Sequence, residues 1–486
     1  MGQDAEERVT AGPGTGRARR RRAPAATEGR FRISKDPMRL ALVGFVLVSI
    51  ARIQYMLPFL EPIRPALITI AVAAGFAFLD PRAVNWRNIF STWVGVALIL
   101  YGGSTIVSSF AGISLGGSAT FLIEEFSRTL VATFIFLAGI RTAQDLWLFL
   151  WTYVACLGLW AYNAFFVFEL TSEGSRATRL NDLYTFDAND IGVVLLMGVP
   201  FVFMLFPVSS RKGRIALGAS LVGVVGTVAL SGSRGALVGT AALAAFMLFT
   251  LKQVQVWKRV SVVVAGVVGL MLFAPPGYWD QMSTILEPED DYNVTDVDGR
   301  WQIIKRGMTY VADYPVFGLG PANFGRAELA NPEKRAALGP RAAQRNVAPH
   351  NTYLQVITEL GVVGFSIWMY ILVRGIVGGL KLRRRLPRRW KKGTQEERFL
   401  YAAGYFFPMS FVGFAVPSVF VTFGYTSPPL FLFAFYGAYL RLFEDKMRKE
   451  RELMKRARQQ AFLRQQQQQG RTPGAPGPTA LPAPTG

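Results

Sequence analysis

Long apolar stretches alternate with short polar ones along most of the chain. Measured against the length that a helix needs to cross a bilayer, they predict about twelve spans. The runs are roughly 38–53, 63–79, 91–110, 120–140, 146–168, 191–206, 215–230, 236–251, 260–273, 352–377, 399–420 and 430–440. The first and last are short or broken by Arg and Pro. The predicted class is an all-α polytopic membrane protein, with residues 38–443 as the membrane domain and 274–351 as one large loop inside it. A loop of that size is expected to carry structure of its own.

Part of the loop has helical periodicity. Trp301, Ile304, Met308 and Val311 recur at helical spacing, with Arg300, Lys305 and Arg306 at polar positions. Asp298-Gly299 offers a start. Tyr314-Pro315 offers a stop, because the residue before proline leaves the α region. The expectation is an amphipathic helix lying on the outer lipid surface, with a helix packed on the membrane domain as the alternative.

Charge then orients the spans. The chain is 51% hydrophobic, yet its formal net charge is +21. Arginine clusters at Arg17 and Arg19 to Arg22 precede the first run, and further basic blocks follow the sixth, eighth, tenth and twelfth runs. With the N-terminus cytoplasmic, all of these blocks fall inside, as the positive-inside bias requires. Both termini are then cytoplasmic. The 274–351 loop faces outward with charges in near balance, ten Asp/Glu against eight Lys/Arg. Residues 1–37 are basic and show no signal-peptide core; 444–486 are basic, then Gln- and Pro-rich. Both segments read as disordered. In a membrane protein their charge points to membrane lipid or orientation rather than to nucleic acid. One cysteine, Cys156, and one histidine, His350, exclude an internal disulfide and make a zinc site untenable, while a magnesium or calcium site built from carboxylates stays open; the expectation is of no cofactor.

Three outward features stand out. Arg234 ends a stretch that begins near Arg214, and twenty residues at 1.5 Å rise span about 30 Å, so Arg234 reaches the outer interface. It reads as a ligand contact or as a residue snorkelling to headgroups; Gly232 and Gly235 beside it suggest room for a ligand near the backbone. Arg300 offers a guanidinium fork suited to phosphate, or a partner for Asp296 or Asp298. His350 lies where the loop meets the tenth run. The positive end of that helix disfavours imidazolium and keeps the ring able to accept a proton. Asn351 or Thr352 is the expected N-cap, at a helix end that can also hold a phosphate. Glu359, nine residues on and about half a turn round, is a poor partner for His350.

Several of these residues sit in a familiar order. Ser231-Gly232-Ser233-Arg234-Gly235 comes first, then Gly299-Arg300-Trp301, then Tyr314-Pro315-Val316-Phe317-Gly318-Leu319-Gly320-Pro321-Ala322-Asn323-Phe324. Last come His350-Asn351-Thr352-Tyr353-Leu354 and Glu359-Leu360-Gly361-Val362-Val363-Gly364. The series resembles the O-antigen ligase and polysaccharide polymerase superfamily of bacterial envelopes over roughly residues 180 to 375. Asp187-Ala188-Asn189-Asp190 also resembles an element that opens the sixth helix in many relatives, without its Pro; only Asn189 carries over.

The resemblance implies a fold like the C class of glycosyltransferases, in the bacterial inner membrane, with a periplasmic active site. The implied donor is an undecaprenyl-diphosphate-linked glycan, and the acceptor a growing glycan or lipid A core. Neither nucleotide sugar nor metal is implied. Arg234 and Arg300 would neutralise the leaving diphosphate, and His350 would orient or deprotonate the acceptor hydroxyl. Arg176 and Arg179, and with them Asn189 and Asn351, fall where they can add substrate contacts; for the two arginines a solvated loop charge is the plainer reading. Ligase and polymerase share this pattern. A lipid-linked glycan flippase or transporter is the rival from another class. A transporter of two six-helix halves should carry its main loop after the sixth run, which here is followed by a short one.

Overall fold

The computed structural model describes residues 31–80, 82–171, 178–181, 183–285, 299–338 and 347–469. These form helices α1 (Pro37–Ile50), α2 (Ile53–Met56), α3 (Pro65–Leu79), α4 (Trp93–Ala111), α5 (Leu115–Phe121), α6 (Ser127–Gly139), α7 (Ala143–Phe166), α8 (Ala188–Leu205) and α9 (Arg211–Leu230). They continue as α10 (Arg234–Thr250), α11 (Val256–Phe273), α12 (Tyr278–Ser283), α13 (Arg300–Asp313), α14 (Phe324–Ala330), α15 (Pro332–Leu338), α16 (Thr352–Val373), α17 (Gln395–Ala415) and α18 (Ser427–Gln469). Among the described residues the only sheet is a two-stranded antiparallel ribbon, β1 (Leu170–Thr171) with β2 (Arg179–Leu180).

The molecule is all-α, and its long apolar helices make it a multi-pass membrane protein. Seven helical stretches among the described residues are long and apolar enough to cross a bilayer: 93–111, 143–166, 188–208, 211–230, 256–273, 352–385 and 395–420. The expected twelve is therefore corrected to seven by length and composition. α1, α3 and α10 are apolar but shorter. The 120–140 run is divided by a π-turn, Leu122–Phe126, between α5 and α6. The 430–440 run is the start of α18, whose remaining length is strongly charged. That helix continues to Gln469, so the tail read as unstructured from 444 is helical as far as that residue. Its Lys, Arg, Glu, Gln and Ala are good helix formers, and no Pro or Gly interrupts them before Gly470.

Local signals set the helix ends. Thr142 and Asp145 cap α7 reciprocally, Asp187 and Asp190 cap α8, and Thr394 and Glu397 cap α17. The core is aromatic: Trp160, Trp368 and Trp390 are fully buried. α8 packs along α17, α1 along α3 and α7 along α9.

The large loop is built on charge as well as apolar contact. On α13, Ile303, Gly307 and Tyr310 face inward, and Gly307 lets Leu354 of α16 approach closely. Trp301 and Met308, of the apolar stripe expected on the lipid surface, are exposed. Beneath α13, Arg306 donates to Glu328 at 3.0 and 2.6 Å, Tyr310 donates its hydroxyl to the same carboxylate at 2.9 Å, and Lys334 lies 3.9 Å away. Glu328 and Lys334 are wholly buried, and buried charges persist only when paired and hydrogen-bonded.

The Pro315–Phe324 segment threads against a break in α16. At Gly361 the backbone turns to φ 61°, ψ −168°. There Val362 N–H donates to Pro315 O at 2.8 Å, while Leu319 N–H donates to Thr358 O and Gly320 N–H to Glu359 O. A side chain at Gly361 would sit 2.3 Å from Val316 O, which explains why glycine stands there. Glu359 does not point to His350; its Oε1 accepts from Phe324 N–H at 3.2 Å, which pins the segment to the helix.

Candidate functional site

The N-termini of α8, α10, α13 and α16 meet at one end of the bundle, together with the connection 417–426 between α17 and α18. The unsatisfied N–H groups there give each helix a positive end, so their meeting favours an anion.

His350 stands just before α16 in left-handed backbone, φ 44°, a conformation uncommon for any residue but glycine. Its N–H donates to Thr422 Oγ1 at 3.1 Å. Asn351 is the N-cap, and its Oδ1 accepts from Tyr353 N–H and Leu354 N–H. Thr352 ties the helix start to the same connection: its hydroxyl donates to Val421 O and accepts from Phe423 N–H. Tyr353 packs, with its hydroxyl on Ala415 O at 2.7 Å. The histidine is thus held by backbone contacts from two elements. It is half-buried, and burial together with the Arg300 guanidinium holds its pKa below the ordinary 6.5, against the opposing charge of Asp187. The neutral ring is the favoured form.

Arg300 opens α13, and its guanidinium lies 5.7 Å from the centre of the Phe420 ring. Phe420 also fills the space beside Gly235, where a Cβ would come within 2.8 Å of the ring. Phe420 therefore sits between the start of α10, with Arg234, and Arg300. Gly235 is there for this packing and not to admit a ligand. Gly232 serves the turn itself, at φ 60° with Arg179 Cβ against it. Ser233 caps α10 through Ala236 N–H, and its hydroxyl donates to Asn189 Oδ1 at 2.6 Å, which locks α8 to α10. Arg234 Nη1 donates to Thr284 Oγ1 at 2.9 Å, and Gln281 Nε2 donates to Gly232 O.

The structure thus gathers Arg234, Arg300, His350, Asn189, Asn351 and Arg179 at one end of the bundle. Asn189 and Asn351 use their side-chain oxygens to fix helices. Arg176 lies outside the described residues.

Other residues at this end escaped the sequence reading. Asp187 is the carboxylate that acts on His350; its signal was the reciprocal cap of Asp187 with Asp190, an N-terminus signature legible in sequence. Phe420 and Thr422 left no such signal, because their role comes from a contact between distant elements. Arg52, between α1 and α2, adds a fourth arginine: it stacks 4.5 Å above the Phe186 ring and acts electrostatically on Asp190.

Such an arrangement groups two arginines and a neutral imidazole at an end where four helix N-termini favour an anion. Residues 219–369 match the family model of O-antigen ligase. The matched segment holds Arg234, Arg300, His350 and the Pro315–Phe324 segment, and it leaves out Arg179, Asp187 and Asn189. No curated protein matches the chain.

Proposed function

We propose that the chain transfers a glycan from an undecaprenyl-diphosphate carrier to an acceptor hydroxyl, in the manner of an O-antigen ligase with lipid A core as acceptor. In this reading the histidine end of the bundle faces the periplasm, both termini are cytoplasmic, and the fold is of the glycosyltransferase C class. The observation that carries it is the grouping of two arginines and a neutral histidine at the convergence of four helix N-termini. The O-antigen ligase match over the same residues supports glycan transfer on lipid-linked substrates.

The chemistry follows from the charges. The acceptor oxygen attacks the anomeric carbon, its proton passes to His350, and the bond from that carbon to the carrier phosphate breaks. Negative charge then grows on the leaving diphosphate, where Arg234 and Arg300 stand as fixed cations. Cations already in place stabilise the transition state without reorganising. A histidine kept below its ordinary pKa is unprotonated when the acceptor arrives. Donor and acceptor both dwell in the membrane, which supplies proximity.

The test is purified full-length protein given a lipid-linked glycan and lipid A core. Glycan on lipid A core supports ligation, whereas longer carrier-linked chains identify a polymerase. Glycan unchanged but moved across the bilayer identifies a flippase and sinks the enzyme reading. His350→Ala should abolish transfer while membrane insertion stays intact; near-normal transfer would remove His350 from the chemistry.

A further inference from the structure

The opposite end of the bundle holds a second cluster of cations that the transfer chemistry does not use. The N-termini of α4, α7 and α17 lie there, with the C-terminal part of the α16 stretch and the middle of α18. A cavity of about 440 Å³ opens between them, lined among others by Thr92, Trp93, Arg374, Arg385, Arg441 and Arg448. Two carboxylates, Glu444 and Asp445, line it against these four arginines. They are already engaged: Glu444 pairs with Arg385 at 2.7 Å and Asp445 with Arg448 at 2.6 Å. Arg441 donates to the backbone carbonyls of Leu137 and Ile140 at the end of α6.

Arg374 is different. Among the described residues no carboxylate pairs with it. It is held by aromatic groups, with its guanidinium 5.1 Å over the Trp93 ring and 5.4 Å over the Tyr370 ring, and it donates to the Tyr370 hydroxyl at 2.5 Å. It sits in a π-turn, Arg374–Gly378, that re-aims the helix after Val373. Across the cavity, Thr92 is the N-cap of α4, yet its hydroxyl caps nothing and finds no hydrogen-bond partner. The cavity is therefore a cationic pocket with one spare guanidinium and an uncapped helix start.

A groove continues from it. About 610 Å³ in volume, it shares Arg374 and Gly378 with the cavity and runs along the outer flank of α16 past Val373, Tyr370, Met369 and Ser366, with Lys381 at its charged end. Val373 and Tyr370 are exposed on that flank. From residue 366 to 377 the helix rises about 16 Å, enough to lay out much of one acyl chain. A soluble anion would fit the cavity but has no use for this groove. Basic pockets between membrane helices that open on an apolar flank suit an anionic lipid.

We propose that the cavity and groove together bind an anionic phospholipid, with its phosphate at Arg374 and the start of α4 and one acyl chain along residues 366–377. The site lies at the end of the bundle away from His350, on the cytoplasmic leaflet in the orientation proposed above. It rests on the bundle crossing a membrane and not on the glycan-transfer reading.

The test uses the full-length protein in detergent, titrated with phosphatidylglycerol, phosphatidylcholine or inorganic phosphate and read by native mass spectrometry. Phosphatidylglycerol should bind about tenfold more tightly than phosphatidylcholine, because both carry the phosphodiester but the choline cation of the second meets the arginine cluster with a like charge. Arg374→Gln should remove that preference, and Arg374→Lys should keep part of it. Val373→Trp, which fills the groove and leaves every cation in place, should also weaken phosphatidylglycerol. Arg458→Gln, on the exposed far part of α18, should change nothing. Equal binding of the two lipids, or full preference in both Arg374→Gln and Val373→Trp, would overturn the proposal. So would displacement of the lipid by equimolar inorganic phosphate, which would make the pocket a free-phosphate site.

Discussion

Replacing Gly361 by alanine tests whether the break in α16 holds the loop and the histidine in place. The backbone at Gly361, φ 61° and ψ −168°, lies in a region that is essentially glycine-only, and a Cβ there costs about 1–3 kcal/mol. The added methyl would also stand 2.3 Å from Val316 O and 2.4 Å from its carbonyl carbon, more than 1 Å inside ordinary contact. Relieving that overlap pushes the Pro315–Phe324 segment off the helix. The bond from Val362 N–H to Pro315 O, 2.8 Å long, and its weaker neighbour from Val363 N–H to Val316 O are then lost, at about 1 kcal/mol each. The total is about 3–5 kcal/mol, which at about 1 °C per kcal/mol for a chain of this size lowers the Tm by roughly 3–5 °C. Thermal unfolding of the purified protein in detergent, followed by tryptophan fluorescence, measures this. Gly266→Ala is the control: nothing lies within 4 Å of its added Cβ, and a helical glycine replaced by alanine should hold or raise the Tm. A Gly361→Ala variant within about 2 °C of the parent would refute the reasoning.

Three further outcomes follow from the same geometry. Arg234→Lys keeps the charge but loses the fork, and glycan transfer should fall about 10-fold or more, with weakened use of the lipid-linked donor, in a single-turnover assay. Asp187→Asn keeps a good N-cap for α8 while removing the charge that raises the pKa of His350, so the acid limb of the transfer rate against pH should move to lower pH. The sign is set by the neutral base: activity is present above the folded pKa, which is already below 6.5, and is lost as pH falls through it. An unmoved limb would mean that His350 is not the titrating group. Glu328→Ala leaves Arg306 and Lys334 buried without their carboxylate, so stability measured by thermal unfolding should fall by about 3–5 kcal/mol.

The legible part of the fold was the part governed by short-range rules. Apolar runs located the bundle helices, and Gly299 and Tyr314-Pro315 bounded α13 at Arg300–Asp313. The span count went astray where local composition and geometry part company. α1, α3 and α10 are apolar yet short, and the 120–140 run contains a π-turn that no hydropathy window detects. The face of α13 that packs on the bundle was not legible for a related reason. Its inner side is chosen by the partner it meets: Gly307 accepts Leu354, Arg306 reaches Glu328, and Trp301 and Met308 turn outward.

By itself the sequence determined that the chain is helical, apolar and basic, that it has one histidine and one cysteine, and where α13 and the start of α16 lie. These follow from transfer free energies and backbone geometry acting over a few neighbouring residues. Only the tertiary structure decided that Gly235 at the start of α10 and Arg300 meet on one phenylalanine, that Asp187 and Arg300 act on His350 with opposite signs, and that four helix N-termini share one end. Those are contacts between residues up to about 185 positions apart, and no local pattern encodes them. They arise because α8 packs on α10 and α17, and because the loop is threaded through the break at Gly361. The histidine became interpretable once the packing of distant helices had set its neighbours, since those neighbours fix its charge.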